Sequence, residues 1–218
     1  MDSIIYHSPL FAGLNAEDTN KALAWYGAFR RHYTKGEILH TLLSPMEHFG
    51  LVLSGQVQVE TDDMDGYRLI MASVGPGGIF GDSLCFLGEV ASIYIIAMTD
   101  CDVLWMDVKN LRAPGQKDAF ETDMANRFTA MVCHRALSMN DRIQILSKNT
   151  LRNKLITLFS QQVQRSGDSF TLPFDRESMA SYLGVNRSAL SRELSAMEKE
   201  GIITFHKNSF TVHHKIVE

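Results

Sequence analysis

Residues 175–208 constrain the fold of this chain most, because their pattern predicts two short helices joined by a tight turn. We expect the first helix over residues 176–183, with the Asp175 carboxylate capping its first amides and Gly184 ending it. Asn186 is then expected to cap the second helix. Small and apolar residues at spacings of four and six allow two such helices to cross closely, namely Ala180, Gly184 and Leu190. This combination is typical of a helix-turn-helix.

The second helix is predicted to have two chemically different faces, because successive side chains are turned by about 100°. Its apolar face is expected to dock on the rest of the domain through Leu190, Leu194 and Met197. Its polar face is rich in hydrogen-bond donors, namely Arg187, Ser188, Ser191, Arg192 and Ser195. Such donors suit guanine edges and phosphate oxygens, which favours a DNA-reading helix over a plain amphipathic hairpin with the same periodicity.

A small β-hairpin is predicted after Gly201, with strands over residues 202–205 and 210–212 and a turn at 207–209. The helices and this hairpin together predict a winged helix-turn-helix with Lys207 at the tip of the wing. The residues expected to contact DNA are Asn186, Arg187, Ser188, Ser191, Arg192 and Lys207.

Charge is distributed unevenly along the chain, although its formal net value is only −4. Residues 145–218 carry ten Lys plus Arg and seven Asp plus Glu, a balance of +3, whereas the first 144 residues carry eleven and eighteen, a balance of −7. An acidic body joined to a mildly basic module is consistent with a nucleic-acid-binding domain at the C-terminal end.

Cysteine usage and apolar runs indicate a cytoplasmic protein. The three cysteines are widely spaced and form no C-x-x-C, so neither a disulfide framework nor a zinc site is predicted for Cys85, Cys101 and Cys133. The longest unbroken apolar run, residues 93–98, has six residues, and no secretion signal is recognised at the N-terminus. We therefore expect no association with a membrane.

The front half of the chain predicts an antiparallel β-barrel of the jelly-roll kind. Its glycine-punctuated β-type segments are residues 35–39, 49–60, 68–74, 93–97 and 103–106. Turn signals at residues 62–66 and 75–78 separate them, and residues 15–18 predict the capped start of a short helix before the barrel. The fold class expected is α+β.

A long helix is predicted over residues 118–147, which contain neither Pro nor Gly. Its apolar stripe comprises Phe120, Met124, Phe128, Met131, Met139, Ile143 and Leu146. The stripe can pack along the chain's own barrel or form a dimer seam, and we expect the seam, so that a charge at Met131 would break the dimer. The domains expected are a barrel over residues 1–117, this dimerisation helix over 118–147, and the winged helix-turn-helix over 148–218.

Barrel, long helix and winged helix-turn-helix, in that order, resemble the catabolite activator/FNR (Crp/Fnr) family of bacterial transcription regulators. Four segments carry the resemblance, which covers nearly the whole chain: residues 35–39, 53–57, 76–82 and 183–194. The resemblance implies a homodimer that reads two half-sites of a double-stranded DNA operator and can contact RNA polymerase. It also implies that Arg187 and Arg192 touch bases, whereas Ser188 replaces the glutamate of the cyclic-AMP-responsive member and so changes the preferred half-site.

By the same resemblance, Gly81, Asp82 and Ser83 correspond to the family's Gly-Glu element that holds the ribose. Ala91 and Ser92 fall where an Arg-Ser pair neutralises the cyclic phosphate, and Ala91 supplies no cation. The resemblance therefore disfavours cyclic AMP and cyclic GMP. An apolar or weakly polar effector is expected instead, held by these five residues together with Met139 and Asn140. A regulator that needs no effector is the alternative.

No cofactor or metal is expected. No cysteine precedes Cys85, which argues against the iron–sulfur cluster of the oxygen-sensing branch. Haem ligation is disfavoured because single histidines on a surface are usually solvated, and the candidates are His7, His32, His40, His48 and His134. A jelly-roll barrel could also be a cupin metalloenzyme, but the chain has no H-x-H motif. A barrel acting only as a protein-interaction module is opposed by the reader-like helix, so a non-enzymatic regulator is predicted.

Overall fold

The computed structural model describes residues 3–62, 68–172 and 174–213, with no account of the side chains of residues 62, 68 and 69. The chain divides into two compact units, residues 1–134 and 135–218, which we call the barrel unit and the DNA-binding unit. Their border falls inside one long helix, whereas the three-part division at residues 117 and 147 stays a prediction.

The barrel unit is built from two four-stranded antiparallel sheets, in agreement with the predicted jelly roll. The first sheet has the spatial order β1 (Phe29–Tyr33), β8 (Cys101–Met106), β3 (Phe49–Ser54) and β6 (Ile79–Phe80). The second has the order β2 (Ile38–His40), β7 (Tyr94–Ala97), β4 (Val57–Asp62) and β5 (Arg68–Val74). Side chains from the inner faces of both sheets form one apolar core.

Helices flank these sheets. They are a 3-10 helix (Ser3–His7), α1 (Ala16–Trp25), α2 (Asp82–Leu87), α3 (Lys109–Arg112) and α4 (Ala119–Leu146). The predicted start of α1 is confirmed, because Oδ1 of Asn15 accepts a hydrogen bond from the Asp18 amide at 2.8 Å. The long predicted helix is also confirmed, with bounds that differ by one residue at each end.

The first half of α4 packs on the barrel, and this corrects the first half of the expected dimer seam. The later residues of the same stripe are exposed, so that their place in a seam stays a prediction: Met139, Ile143 and Leu146. Met124, Phe128 and Met131 are buried in the barrel core, and Phe128 lies edge-on to Phe49 with ring centroids 5.8 Å apart. Polar contacts fix the same segment, since the Arg127 guanidinium donates to the Ala12 carbonyl at 2.8 Å. The prediction that Met131 belongs to the seam is wrong, because an apolar stripe at helical spacing fits a barrel and a partner equally well and the barrel covers this one.

The DNA-binding unit contains the end of α4 followed by helices and a small sheet. Its elements are α5 (Leu151–Ser166), β9 (Ser169–Thr171), α6 (Arg176–Leu183), α7 (Arg187–Lys199), β10 (Ile203–His206) and β11 (Ser209–Val212). The sheet is antiparallel with the order β10-β11-β9. Ile145 of α4 is fully buried in this unit's own apolar core, so α4 contributes residues to both units.

Several short elements escaped the sequence patterns. The exposed edge strand β1 reads Phe-Arg-Arg-His-Tyr and lacks apolar alternation, because its Arg30 and His32 side chains pair with Asp102 instead of a core. β6, β9, α2 and α3 are too short to show a period. The predicted strand at 35–39 is shifted to β2, and the turn at 75–78 is confirmed by a hydrogen bond from the Gly78 amide to the Gly75 carbonyl. Of the turn predicted at 62–66, residue 62 ends β4 and residues 63–66 lie outside the described residues. Among the helices that the structure describes, none is both long and apolar enough to cross a membrane.

Candidate nucleic-acid interface

The first helix of the predicted pair, α6, begins and ends where its sequence signals lie. Oδ1 of Asp175 accepts a hydrogen bond from the Ser178 amide at 2.7 Å, and hydrogen bonds from Ser178 hold the pKa of this carboxyl below its usual value. Gly184 ends the helix at φ = 64°, a left-handed conformation that glycine adopts without a Cβ clash. Both ends of α6 are therefore dictated locally, by Asp175 at its start and Gly184 at the turn to the next helix.

The second helix, α7, buries its apolar face completely. Leu190, Leu194 and Met197 have no exposed surface and pack with residues of α5, α6 and the small sheet. Asn186 occupies the N-cap position, but its side chain makes no capping hydrogen bond, so the predicted cap is only positional. We call α7 the reader helix.

The opposite side of the reader helix is exposed and carries the predicted DNA-contacting residues. This reader face consists of Arg187, Ser188, Ser191, Arg192 and Ser195. The Arg192 side chain folds back along the helix, with its Nε 3.4 Å from the Ser188 carbonyl. The Arg187 side chain is 64% exposed, and its Nη1 lies 3.5 Å from the Glu177 carboxylate of α6. The reader face is thus a donor-rich strip with the Glu177 carboxylate at its edge.

The wing, formed by β10, β11 and the turn between them, is held against the start of α6. Lys207 lies at its tip in a left-handed conformation (φ = 54°) and is exposed. The Arg176 guanidinium donates to the Lys207 carbonyl at 2.9 Å and lies over the Phe205 and Phe210 rings. Sequence reasoning missed this role of Arg176, because the aromatic rings come from strands about 30 residues further along the chain.

A second arginine holds the reader helix from its other end. Arg152, in the first turn of α5, donates Nε to Glu193 at 2.6 Å and both terminal nitrogens to Glu200 at 2.7 Å. The Arg152 guanidinium lowers the pKa of Glu200, and the two carboxylates raise the pKa of Arg152. By binding two carboxylates at once, Arg152 fixes the rotation of α7 relative to α5. The contact was not predicted, since Glu193 and Glu200 follow Arg152 by 41 and 48 residues in the sequence.

Of the residues expected to hold an effector, five lie in the barrel unit. Gly81 (φ = 77°) precedes α2 in a left-handed conformation that favours glycine, and a Cβ there would lie 2.2 Å from the Met46 sulfur, so the Met46 side chain would have to move. Asp82, the first residue of α2, is only 1% exposed. The same loop that supplies Met46 also contacts Ala91, whose carbonyl accepts a hydrogen bond from the Leu43 amide. Exposed Met139 and Asn140 belong to the DNA-binding unit.

No metal-binding site is recognised in the part of the chain that the structure describes. No three or more His, Cys, Asp or Glu side chains converge there in a way that could hold a metal ion. The histidines considered for haem or cupin chemistry have other surroundings: His32 pairs with Asp102 at 3.2 Å, and His48 lies edge-on to Phe29.

Comparison with known families agrees with this architecture. Residues 30–117 match the cyclic nucleotide-binding domain, and residues 151–215 match the Crp-like helix-turn-helix domain. The chain belongs to the Crp/Fnr family of transcription regulators. Its helix-turn-helix is therefore a DNA-binding module of the Crp type.

Alignments with members of this family cover most of the chain. The cyclic AMP receptor protein of Thermus thermophilus is 26% identical over 197 residues, which cover 90% of this chain and 88% of that protein. The transcriptional activator protein FnrL of Cereibacter sphaeroides is 23% identical over 215 residues, covering 93% and 82%. Among solved structures, FixK2 of Bradyrhizobium japonicum has a TM-score of 0.54 at 23% identity, covering 86% of this chain and 93% of that one.

Proposed function

We propose that this Crp/Fnr protein regulates transcription as a homodimer that places one reader helix in the major groove of each of two operator half-sites. The observation that carries the proposal is the reader face, where two arginines and three serines are exposed while the opposite face is fully buried. In this arrangement Arg187 and Arg192 contact bases, and Ser188 and Ser191 contact DNA groups within reach of their short side chains. Asn186 and Lys207 contact the DNA phosphate backbone. Contact with RNA polymerase stays a prediction.

Selection of bound duplexes from random DNA tests this function directly. Two copies related by a two-fold axis should select a palindrome whose half-site centres lie about 34 Å apart, one turn of B-DNA. A preference for single, unpaired half-sites would contradict the dimeric arrangement. Absence of salt-dependent binding to any duplex would contradict the DNA-binding function itself.

Arg187→Ala should lower the discrimination between operators that differ at one guanine. A bidentate Arg–guanine contact contributes about 1–3 kcal/mol, so binding to the selected operator should weaken by about ten- to a hundredfold. An operator that lacks this guanine should bind the variant and the unaltered protein about equally. Competitive electrophoretic mobility shift measurements check both values. A uniform loss across all operator variants would instead assign Arg187 to a phosphate.

The dimer is proposed to form along a face of α4 that the barrel unit leaves open. Exposed positions recur at alternating spacings of four and three, which we call the seam face: Asn126, Ala130, Cys133, Leu137, Asn140 and Gln144. This spacing places the six residues along one face of the helix, as at the a and d positions of a heptad, and the apolar part of that face is Ala130, Cys133 and Leu137. Leu137 is 60% exposed at its centre, and a second copy would cover it. Sedimentation equilibrium should give twice the protomer mass of 24.5 kDa.

An effector other than cyclic AMP or cyclic GMP is proposed for the barrel. Ala91 stands where the family resemblance implies a phosphate-binding arginine, and an alanine supplies no cation for the phosphate. Burial of the cyclic phosphate without that arginine costs several kcal/mol. An apolar or weakly polar small molecule near Gly81, Ser83 and Ser92 fits these residues better. The alternative is a regulator that needs no effector. In that case the affinity for the operator should stay the same when any metabolite fraction is added.

Cyclic AMP should give no binding heat with this protein in isothermal titration calorimetry at millimolar concentration. Ala91→Arg should restore part of the affinity, because it returns a cation to the half-buried position expected to face the phosphate. Micromolar binding of cyclic AMP to the unaltered chain would contradict the proposed effector class.

A further inference from the structure

Glu177 is the one carboxylate that the structure pairs with a reader-face arginine among the described ion pairs. Its side chain is 76% exposed, and its Oε2 lies 3.5 Å from Nη1 of Arg187. Exposed pairs of this kind contribute little to folding stability, because water screens both charges. An acid at the edge of a surface that approaches phosphates also weakens non-specific DNA binding. Neither a gain in folding stability nor a gain in non-specific affinity for DNA therefore explains a carboxylate at residue 177.

Glu177 is the charged neighbour that restrains the Arg187 guanidinium, because the other two nearby charged groups are engaged elsewhere. Neighbouring Arg176 is occupied by the Lys207 carbonyl and two aromatic rings, and the Asp175 carboxylate caps α6 by accepting from the Ser178 amide. Both of these charged groups interact with Arg187 only electrostatically, without a hydrogen bond to it. The contact from Glu177 comes from α6, which packs on α7, so the pair spans the two helices of the helix-turn-helix.

A guanidinium has five N–H donors in a rigid plane, and a carboxylate can engage one side of the fork while the other side remains free for a base. Such a contact reduces the rotamer freedom that Arg187 would lose on binding guanine. It also offsets the arginine charge locally, which favours the hydrogen-bonding guanine edge over a phosphate oxygen. Both effects raise sequence discrimination while lowering general attraction to DNA.

We propose that Glu177 is a positioning residue that holds Arg187 for guanine and suppresses its use as a phosphate contact. The proposal rests on the proposed base-reading function of Arg187. It assigns sequence specificity to a residue of α6, outside the reader helix.

The test compares the unaltered full-length protein with Glu177→Gln on three duplexes: the selected operator, the same operator without the guanine assigned to Arg187, and an unrelated duplex of equal length. Glu177→Gln should bind the unrelated duplex about two- to fivefold more tightly, because an acid facing the phosphates is removed. Its preference for the operator over the guanine-lacking variant should fall by about three- to tenfold. An equal gain on all three duplexes would overturn the proposal by reducing Glu177 to a net-charge effect.

Two controls separate positioning from charge and from failure of the reading function. Glu17→Gln makes the same charge change on exposed α1 of the barrel unit and should leave the preference unchanged. In an Arg187→Ala background, Glu177→Gln should no longer alter the preference, because its effect acts through Arg187. A persisting effect there overturns the proposal. If Arg187→Ala alone leaves the preference intact, the base-reading function of Arg187 has failed, and Glu177 cannot act by this route.

Discussion

Leu137→Glu is expected to weaken operator binding by at least about a hundredfold, because joining two half-site readers raises affinity by about 10²–10⁴ over one reader alone. Leu137 lies at the centre of the seam face and is 60% exposed in the single chain. In a two-fold dimer the new carboxylates would face each other within the helix–helix contact, which combines like-charge repulsion with desolvation. Sedimentation equilibrium should show the protomer mass.

Met139→Glu is the matched control, since Met139 is equally exposed but lies about 160° from Leu137 around the helix axis. This variant should remain dimeric. Mild oxidation offers an independent check, because Cys133 is exposed on the seam face whereas Cys85 and Cys101 are buried. A disulfide-linked dimer should form in the unaltered protein and not in Cys133→Ser. If Met139→Glu separates the copies and Leu137→Glu does not, the seam lies on the other face of α4.

Met131→Ala is expected to destabilise the barrel unit by about 2–5 kcal/mol, the range for truncating a large apolar side chain in a packed core. Met131 is 5% exposed and packs in the same apolar core as Phe128 and Met124. Met131→Glu should prevent folding of this unit, because a carboxylate would be buried among apolar groups. The charged variant therefore tests packing of the barrel and not dimer formation.

Tryptophan fluorescence during urea unfolding measures this effect selectively. The chain has two tryptophans, Trp25 and Trp105, and both lie in the barrel unit. Met71→Ala is the control at equal protomer concentration, and its midpoint should move little because a side chain that is 53% exposed is shortened. Equal midpoints for Met131→Ala and Met71→Ala would show that the first half of α4 does not pack on the barrel.

The helix-turn-helix could be predicted from sequence because its signals are local. Asp175 and Gly184 act within one turn of the helix they begin or end, and the alternation of Leu190 and Leu194 with Arg187 is set by the helical period. The long helix was predicted for the same reason. The effector residues were placed only through family resemblance, and their role stays a proposal.

Sequence alone determined the helices of the helix-turn-helix, the long helix α4 and the polar face of the reader helix, since capping and periodicity act over a few residues. Only the tertiary structure decided which partner each face meets. It assigned Met131 to the barrel, Arg176 to the wing, and Arg152 to Glu193 and Glu200. The physical reason is that an apolar stripe or a lone arginine specifies the chemistry of its partner but not its identity, which depends on contacts between residues far apart in the chain.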